Sequence, residues 1–596
     1  MKLENTRRLT QPVQILLIIL ISLGIYYPAI FAEPLSTDDH LLITRLINTQ
    51  DIHFKALFFP DHPGVYFRPF LYLTFLIDGK LWGGLESFMH LENIIIHTAS
   101  AVTIFFIALA SINFFKIKTT YYFPFFVSLV FALHPINTES VNWISGRTDL
   151  LAGLFVFLSL LILFTKKNRL FWIIFSASLY LLGLLSKEVA IGVLIIVFLL
   201  SFLRGNDNIY YTETNRLFII FVFLLTTLVY AVMRTDFSFL HDMESKLVTS
   251  NATGQPQTVY FALKGILKAT GFYMKKLFVP VPLNLAIISI STHVYLPLGI
   301  VVAAMALLFS ILIIFNIRLN NHTRFLIFWY LFAVIFFMPA VPLAATKMTW
   351  TPIAERYIYL SSLASAMILT FIVDRTVRER NFVVIMTIIL LICSLITYKR
   401  TIIWQKNITL WADTVKKSPD FAPARNDYAI ALWRAGKLKE AKEQFVIAKN
   451  LAKIKNSAIP EINLALLDSA EENTIEGINN LRKLIRSSKK IDKKNKIHLL
   501  KKLSSLIESK IIKNKTQHRR IYKELLSYYE ELYKLTHNGF YAYRSAQLHL
   551  FLGNKKSALA GFRQALRLSP NEYFSPAARK LVKKLEAELA DKAGES

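Results

Sequence analysis

Pro12-Val-Gln-Ile-Leu-Leu-Ile-Ile-Leu-Ile-Ser-Leu-Gly-Ile-Tyr-Tyr-Pro-Ala-Ile-Phe31 is followed, five residues on, by Ser36-Thr37-Asp38-Asp39-His40. About 20 apolar residues in a row are what a helix needs to cross a bilayer. Two adjacent carboxylates just past such a run are costly to hold against lipid and call for an explanation. Helix capping is the plain one: Ser36 or Thr37 can cap a helix starting here, and acids in a first turn suit its macrodipole. Whether the pair does more depends on the rest of the chain.

Of the 596 residues, 54% are hydrophobic, 46 are Phe, and only 18% are charged. A soluble protein of this size has no use for so much apolar surface, and the repeated apolar runs read as a polytopic membrane protein. The apolar residues are unevenly spread. Up to about Tyr398 the chain is a series of hydrophobic spans, whereas beyond Trp404 it is rich in Lys, Glu and Ala. This predicts a membrane domain over 1–400 and a water-soluble domain over 401–596. The net charge of +29 is not a nucleic-acid signature. Much of it lies in short loops between spans, where topology explains it. The remainder, as in Lys489-Lys490 and Lys493-Lys494, reads as a solvated helical face able to meet anionic headgroups. The single cysteine, Cys393, lies inside the last span, so no intramolecular disulfide can form.

Spans are expected at about 12–31, 91–115, 121–136, 147–165, 169–186, 189–204, 217–233, 294–316, 324–345, 357–374 and 381–398. Lys2, Arg7 and Arg8 precede the first. Basic residues then recur at every second loop: Lys116 and Lys118; Lys166, Lys167 and Arg169; Arg204 and Arg216; Arg318 and Arg324; Arg375, Arg378 and Arg380. The positive-inside rule then places the N-terminus in the cytoplasm. Eleven is odd, so residues 32–90, 234–293 and the C-terminal domain are expected outside the cytosol. Phe31-Ala32-Glu33 would suit a cleaved signal peptide, but the apolar core is long for one, and Asp38 and Asp39 face outward either way. The aromatics of 40–90 (Phe54, Phe58, Phe59, Tyr66, Phe67, Trp82) suggest helices lying at the membrane surface. Residues 256–279, with Lys264, Lys268, Lys275 and Lys276, read as another interfacial helix whose end is punctuated by Gly271 and Pro280.

The soluble part repeats itself. Ala429-x6-Gly436-x4-Ala441-x3-Phe445-x2-Ala448 returns as Ala546-x6-Gly553-x4-Ala558-x3-Phe562-x2-Ala565, closed by Pro570. Small residues at those offsets let two antiparallel helices pack across a tight turn, which is the tetratricopeptide pattern. Residues 457–535 keep helical periodicity without the signature and read as degenerate repeats. These residues build a scaffold, and a superhelix of this kind usually holds a peptide or protein.

With this topology the remaining polar groups fall on one side: Asp38, Asp39, Arg68, Glu139, Arg147, Asp149, Lys187, Glu188, Glu355 and Arg356, with His134 beside them. Each alone has an innocent reading, as a locally paired or snorkelling charge. Together they suit transfer of a sugar from a lipid-linked phosphate to a hydroxyl, since the donor's tail must lie in the bilayer. A carboxylate such as Asp38 would serve as general base, worth roughly 10²- to 10⁴-fold in rate. Arg or Lys would hold the departing phosphate, and an oxocarbenium-like transition state gives a second acid a role.

Several of these residues also carry a resemblance. Asp38-Asp39, Arg68-Pro69, the block Phe131-Ala-Leu-His-Pro-Ile-Asn-Thr-Glu-Ser-Val-Asn-Trp-Ile-Ser-Gly-Arg-Thr-Asp149, Ser186-Lys187-Glu188 and Ala354-Glu-Arg-Tyr-Ile-Tyr-Leu360 are involved. So are Gly271-x-Tyr273 and Pro280-x-x-Leu283-Asn284. Over nearly its whole length the chain resembles GT-C class membrane glycosyltransferases, most closely the transmembrane and tetratricopeptide repeat-containing O-mannosyltransferases. The resemblance implies an all-α polytopic domain followed by an α-solenoid. It also implies a polyprenyl-phosphate sugar donor, mannose in the better-understood members, and a protein Ser/Thr acceptor recruited by the repeats. Carried over by position, Asp38 is the base and Asp39 its partner. Phosphate binding by Arg68, Arg147, Lys187 and Arg356, supported by Glu139, Asp149, Glu188, Glu355 and His134, is inferred from charge and location.

Three rival readings remain. A transporter needs polar groups near mid-bilayer, and these spans carry few. A membrane-anchored repeat scaffold without activity needs no acidic pair. A divalent metal could use His40 with Asp38 and Asp39, or His134 with Glu139, but no tight ligand spacing supports it, and no metal ligand is assigned. The Lys- and Ile-rich composition favours a bacterial plasma membrane over the endoplasmic reticulum.

Overall fold

A computed structural model describes residues 9–35, 39, 42–43, 57–58, 67–165, 170–202, 213–234, 259–315, 317, 319–345, 351–453, 459–470, 474–487, 493–510, 518–570 and 572–594. Ser36, Thr37, Asp38, His40 and Tyr66 lie outside the described residues, as does most of 234–258. Contacts divide the chain into two compact units, Met1–Pro419 and Asp420–Ser596.

The first unit is a helical membrane domain. In lipid every backbone N–H and C=O must be paired within the chain, and a helix does this with its own residues. Seven helices among the described residues are long and apolar enough to cross a membrane, including Gln11–Phe31, Glu86–Phe114, Ile144–Thr165 and Glu379–Trp404. Phe123–Ala132, Leu170–Ser186 and Glu188–Phe202 are apolar but shorter. The span expected at 357–374 is the shorter helix Ser362–Thr376, preceded by a 3₁₀ turn over Glu355–Ile358. Proline limits the shortest of these apolar helices, Phe123–Ala132: Pro124 stands in its first turn and His134-Pro135 follows its end.

Burial sorts the long helices into inner and outer. Glu86–Phe114, Ile144–Thr165 and Asn321–Ala344 bury 67%, 61% and 61% of their most apolar window, against 17% for Thr292–Ile314 and 22% for Glu379–Trp404. The inner helices meet through small polar groups, as expected where lipid offers no hydrophobic drive between helices. The Ser128 hydroxyl donates to the Ala101 carbonyl at 2.7 Å. The Ser159 and Ser176 hydroxyls meet at 2.8 Å across two neighbouring helices.

The amphipathic helix Val259–Phe278 differs from expectation at Gly271. This glycine lies inside the helix rather than at its end, because tertiary contact decides its place. A Cβ on Gly271 would sit 2.3 Å from the Tyr295 carbonyl oxygen, and one on Gly299 would sit 1.8 Å from that of Leu267. The two glycines thus let this helix and Thr292–Ile314 cross backbone against backbone. After the last long helix, Asn407–Lys417 remains part of the first unit: Asn407 N and Nδ2 donate to Glu33 at 2.9 and 3.1 Å, and Lys417 Nζ to the Leu283 carbonyl at 2.6 Å.

The second unit is an α-solenoid. Ala422–Arg434 with Leu438–Lys453, and Gly539–Phe551 with Lys555–Leu568, form the two signature hairpins. Ala429, Ala441, Phe445 and Ala448 are fully buried, as are Ala546, Ala558, Phe562 and Ala565. Gly436 and Gly553 take φ +77 and +86, the left-handed conformation that stops the first helix of each pair. The following amide closes each turn identically: Lys437 N to Leu432 O at 3.0 Å, Asn554 N to His549 O at 2.8 Å. Between these hairpins run Ile459–Ala470, Thr474–Ser487, Lys493–Lys510 and His518–Thr536, whose Ile462, Leu481, Leu499 and Leu525 share one core.

Candidate active site

The sequence Trp143-Ile-Ser-Gly-Arg-Thr-Asp149 turns a short corner before the helix Arg147–Thr165. Gly146 is required there, since a Cβ would lie 2.4 Å from the Ser140 carbonyl oxygen. From this corner three side chains reach three other parts of the chain. Ser145 donates its backbone N–H and its hydroxyl to Asp39 Oδ1 at 3.2 and 2.6 Å, while Leu35 N donates to Oδ2 at 3.0 Å. Asp39 is thereby held as a buried acceptor, 1% exposed. Thr148 Oγ1 donates to the Ser186 carbonyl at 2.8 Å and accepts from Arg68 NH1 at 3.2 Å. Asp149 Oδ1 pairs with Lys187 Nζ, and no hydrogen-bond partner faces Oδ2 among the described residues.

Arg68, Lys187 and Arg356 form one cationic group: Arg68 and Lys187 bind the adjacent residues Thr148 and Asp149, and the Lys187 ammonium lies 5.4 Å from the centre of the Tyr357 ring that also packs on Arg356. Their side chains keep 13%, 12% and 10% of their surface open. Each faces an acid. Arg68 NH2 meets Glu188 at 3.1 Å, and Arg234 meets the other Glu188 oxygen at 3.4 Å. Arg356 pairs through NH1 with Glu139, and its backbone N–H donates to the second Glu139 oxygen at 3.1 Å. Its guanidinium also lies 4.9 Å from the Trp143 ring centre and 4.8 Å from that of Tyr357. Burial draws the Lys187 ammonium below the usual lysine range; Asp149 opposes the shift, and Arg68 adds to it.

Arg147, expected with these cations, is placed elsewhere. Its guanidinium is 1% exposed and enclosed by Asp78, by Glu92 at 3.0 Å, by the Met89 carbonyl at 3.0 Å and by Asn93 Oδ1 at 3.0 Å. Glu355 is likewise separate, accepting from Lys276 Nζ at 2.9 Å and Asn284 N at 3.0 Å. Burial pushes its carboxyl above the usual range, with Lys276 acting against the shift. His134 is a structural cap: Nδ1 accepts from Ile136 N at 3.3 Å, and Nε2 faces the Leu277 carbonyl at 3.1 Å. Among the described residues no group of three or more His, Cys, Asp or Glu could hold a metal. A cavity of about 260 Å³ beside His134, lined by Val130, Phe278, Leu369 and Ile396, is apolar and contains none of the cationic group.

Ser145, Thr148, Arg234 and Asn93 were not singled out by sequence. Arg234 at the end of its span, and Ser145 and Thr148 inside the most specific block, carried the available signal.

No family model matches the chain. It is 26% identical over 392 residues to Protein O-mannosyl-transferase F38B6.6 of Caenorhabditis elegans, covering 64% of this chain and 53% of that protein. It is 33% identical over 147 residues to Protein O-mannosyl-transferase TMTC4 of Homo sapiens, or 22% of this chain and 20% of that one. The chain is similar to protein O-mannosyl-transferases. It spans about half the length of the first of these relatives. The crystal structure of yeast Tom70 aligns over 82% of this chain and 98% of that one at 11% identity, with a TM-score of 0.21, too low to carry an argument.

Proposed function

We propose that the protein is a multi-pass membrane glycosyltransferase that moves a sugar from a polyprenyl-phosphate donor to a hydroxyl of a protein acceptor, at the non-cytosolic face. The observation that carries this is the gathering of Arg68, Lys187 and Arg356 around the corner that also holds Asp39. Phosphate oxygens suit such a group: each cation can turn a charge-assisted hydrogen bond from its own carboxylate to the ligand. The names of the similar proteins supply the acceptor class and the sugar, mannose. The solenoid supplies a surface of the type that holds peptides.

In the step itself the acceptor oxygen bonds to the sugar's anomeric carbon as the bond from that carbon to the phosphate oxygen breaks. The acceptor's proton goes to a carboxylate, for which Asp38 is the candidate. The electron pair leaves with the phosphate, where Arg68, Lys187 and Arg356 offset the growing charge. Asp39, with both oxygens already accepting, orients this segment and adds negative charge next to the electron-poor sugar.

The test is transfer by the purified protein in lipid nanodiscs, given polyprenyl-phosphate sugars and Ser/Thr peptides, with Asp38→Asn and Asp39→Asn alongside. Turnover by the wild type and its loss in Asp38→Asn is the expected result. Turnover that survives Asp38→Asn refutes the assigned base. No turnover with any donor, in a protein that still binds peptide, leaves the scaffold reading.

A further inference from the structure

The corner that carries Ser145, Thr148 and Asp149 is itself held from behind, through a residue without charge. Asn93 is completely buried near the start of the helix Glu86–Phe114. Its Nδ2 donates to the Trp143 carbonyl at 2.9 Å and to the Ile144 carbonyl at 3.3 Å. Its Oδ1 accepts from Arg147 Nε at 3.0 Å. One amide therefore spans the corner from Trp143 to Arg147. Both of its donor hydrogens and its acceptor are used, which is the satisfaction a buried amide needs. Arg147 continues the clamp to Asp78 on the helix Pro69–Trp82, to Glu92 and to the Met89 carbonyl.

We propose that Asn93 and Arg147 are positioning residues: their network fixes the 143–147 backbone so that Ser145 holds Asp39, and Thr148 and Asp149 meet Arg68 and Lys187, in one register. The reading rests on the proposed transferase function for its kinetic consequence, but not for its structural one. Three features distinguish it from general packing. The Asn93 contacts are to two consecutive carbonyls and one side chain of the same corner. Gly146, between them, has no room to shift because the Ser140 carbonyl lies against it. The first residue beyond the clamped carbonyls, Ser145, supplies two hydrogen bonds to Asp39, one from its amide and one from its hydroxyl. Arg147 has its charge matched by Asp78 and Glu92, and among the described residues it pairs with none of the acids that face Arg68, Lys187 and Arg356.

The variant Asn93→Leu keeps the side-chain branching and heavy-atom count and removes all three hydrogen bonds. Arg147→Lys keeps the charge and loses the fork that joins Asp78, Glu92 and Asn93. Two measurements on the full-length protein in nanodiscs test the proposal. Amide hydrogen exchange needs no donor: in both variants Ser145 and Gly146 exchange faster, while the helix beyond Leu150 keeps its wild-type protection. Steady-state transfer then separates positioning from binding. kcat falls by about 100-fold, the scale of an ångström-level misplacement, while KM for the donor changes by far less. Wild-type exchange at Ser145 and Gly146 in Asn93→Leu overturns the proposal. So does exchange that rises evenly through every membrane helix, which marks a packing residue. An unchanged kcat beside faster local exchange also overturns it. If the wild-type protein transfers no sugar, the transferase reading fails, and faster local exchange still supports the clamp.

Discussion

Replacing Lys187 by Met separates what the pair with Asp149 does for the fold from what it does for a ligand. Asp149 is 1% exposed, and its Oδ1 accepts from Lys187 while Oδ2 has no hydrogen-bond partner among the described residues. Removing one member of a buried ion pair costs about 3–5 kcal/mol, because the other charge is left without compensation. Lys187 keeps 12% of its side chain open, and the charge of Arg356 also interacts with Asp149. Both soften the loss, so Lys187→Met is expected to cost about 3 kcal/mol, the low end of that range. The double variant Lys187→Met/Asp149→Leu replaces both charges with apolar groups and should recover most of it, giving a coupling of about 2 kcal/mol or more. Reversible unfolding in mixed micelles reads the stabilities, and steady-state transfer on the same preparations reads KM for the donor. Stability should return in the double variant while the raised KM does not. A single variant costing under about 1 kcal/mol, as for an exposed pair, refutes the assignment of a buried pair. Donor KM returning to wild type together with stability refutes the role of Lys187 in holding phosphate.

Because burial lowers the Lys187 pKa, the group loses its charge at a lower pH than an ordinary lysine. KM for the donor should therefore rise on the alkaline side in the wild type and stay flat in Lys187→Arg, whose guanidinium does not deprotonate. The folded value lies below the unfolded one, so this group makes folding more favourable as pH rises through that window, and unfolding does not explain the rise; an identical alkaline limb in Lys187→Arg refutes the assignment. Gly299→Ala puts a methyl group against the Leu267 carbonyl and should cost about 1–3 kcal/mol or more by overpacking. Gly24→Ala, in a helix with open space around it, should be neutral or slightly stabilising in the same unfolding assay. Gly553→Ala meets no steric contact but must adopt φ +86, so thermal unfolding of the repeat unit should register about 1–2 kcal/mol.

The spans were legible because lipid imposes long apolar runs, and the repeats because Gly436 and Gly553 sit at a turn only glycine adopts easily. The block from His134 to Asp149 was conspicuous for the same reason in reverse: charges inside an apolar stretch call for partners. What sequence could not supply was which partner. Arg147 looked like the other outer-face cations, yet Asn93 and Asp78 lie 54 and 69 residues before it, in segments that read as span and surface loop. A carboxylate at Asp78, closing the largely apolar run Phe70–Ile77, was the available hint. Gly271 misled because its low helix propensity suggests a stop, whereas the approach of Thr292–Ile314 gives it a use within the helix.

Arg68, Lys187 and Arg356 each already face a carboxylate of their own chain. A cationic group built this way carries its own counter-ions. When vacant it needs neither a captured solvent anion nor a rigid frame to keep like charges apart. An arriving anion changes partners rather than meeting bare charge, and its departure lets the old pairs re-form. Such chemistry favours quick exchange over a tenacious grip, as the proposed turnover of lipid-linked donors would require.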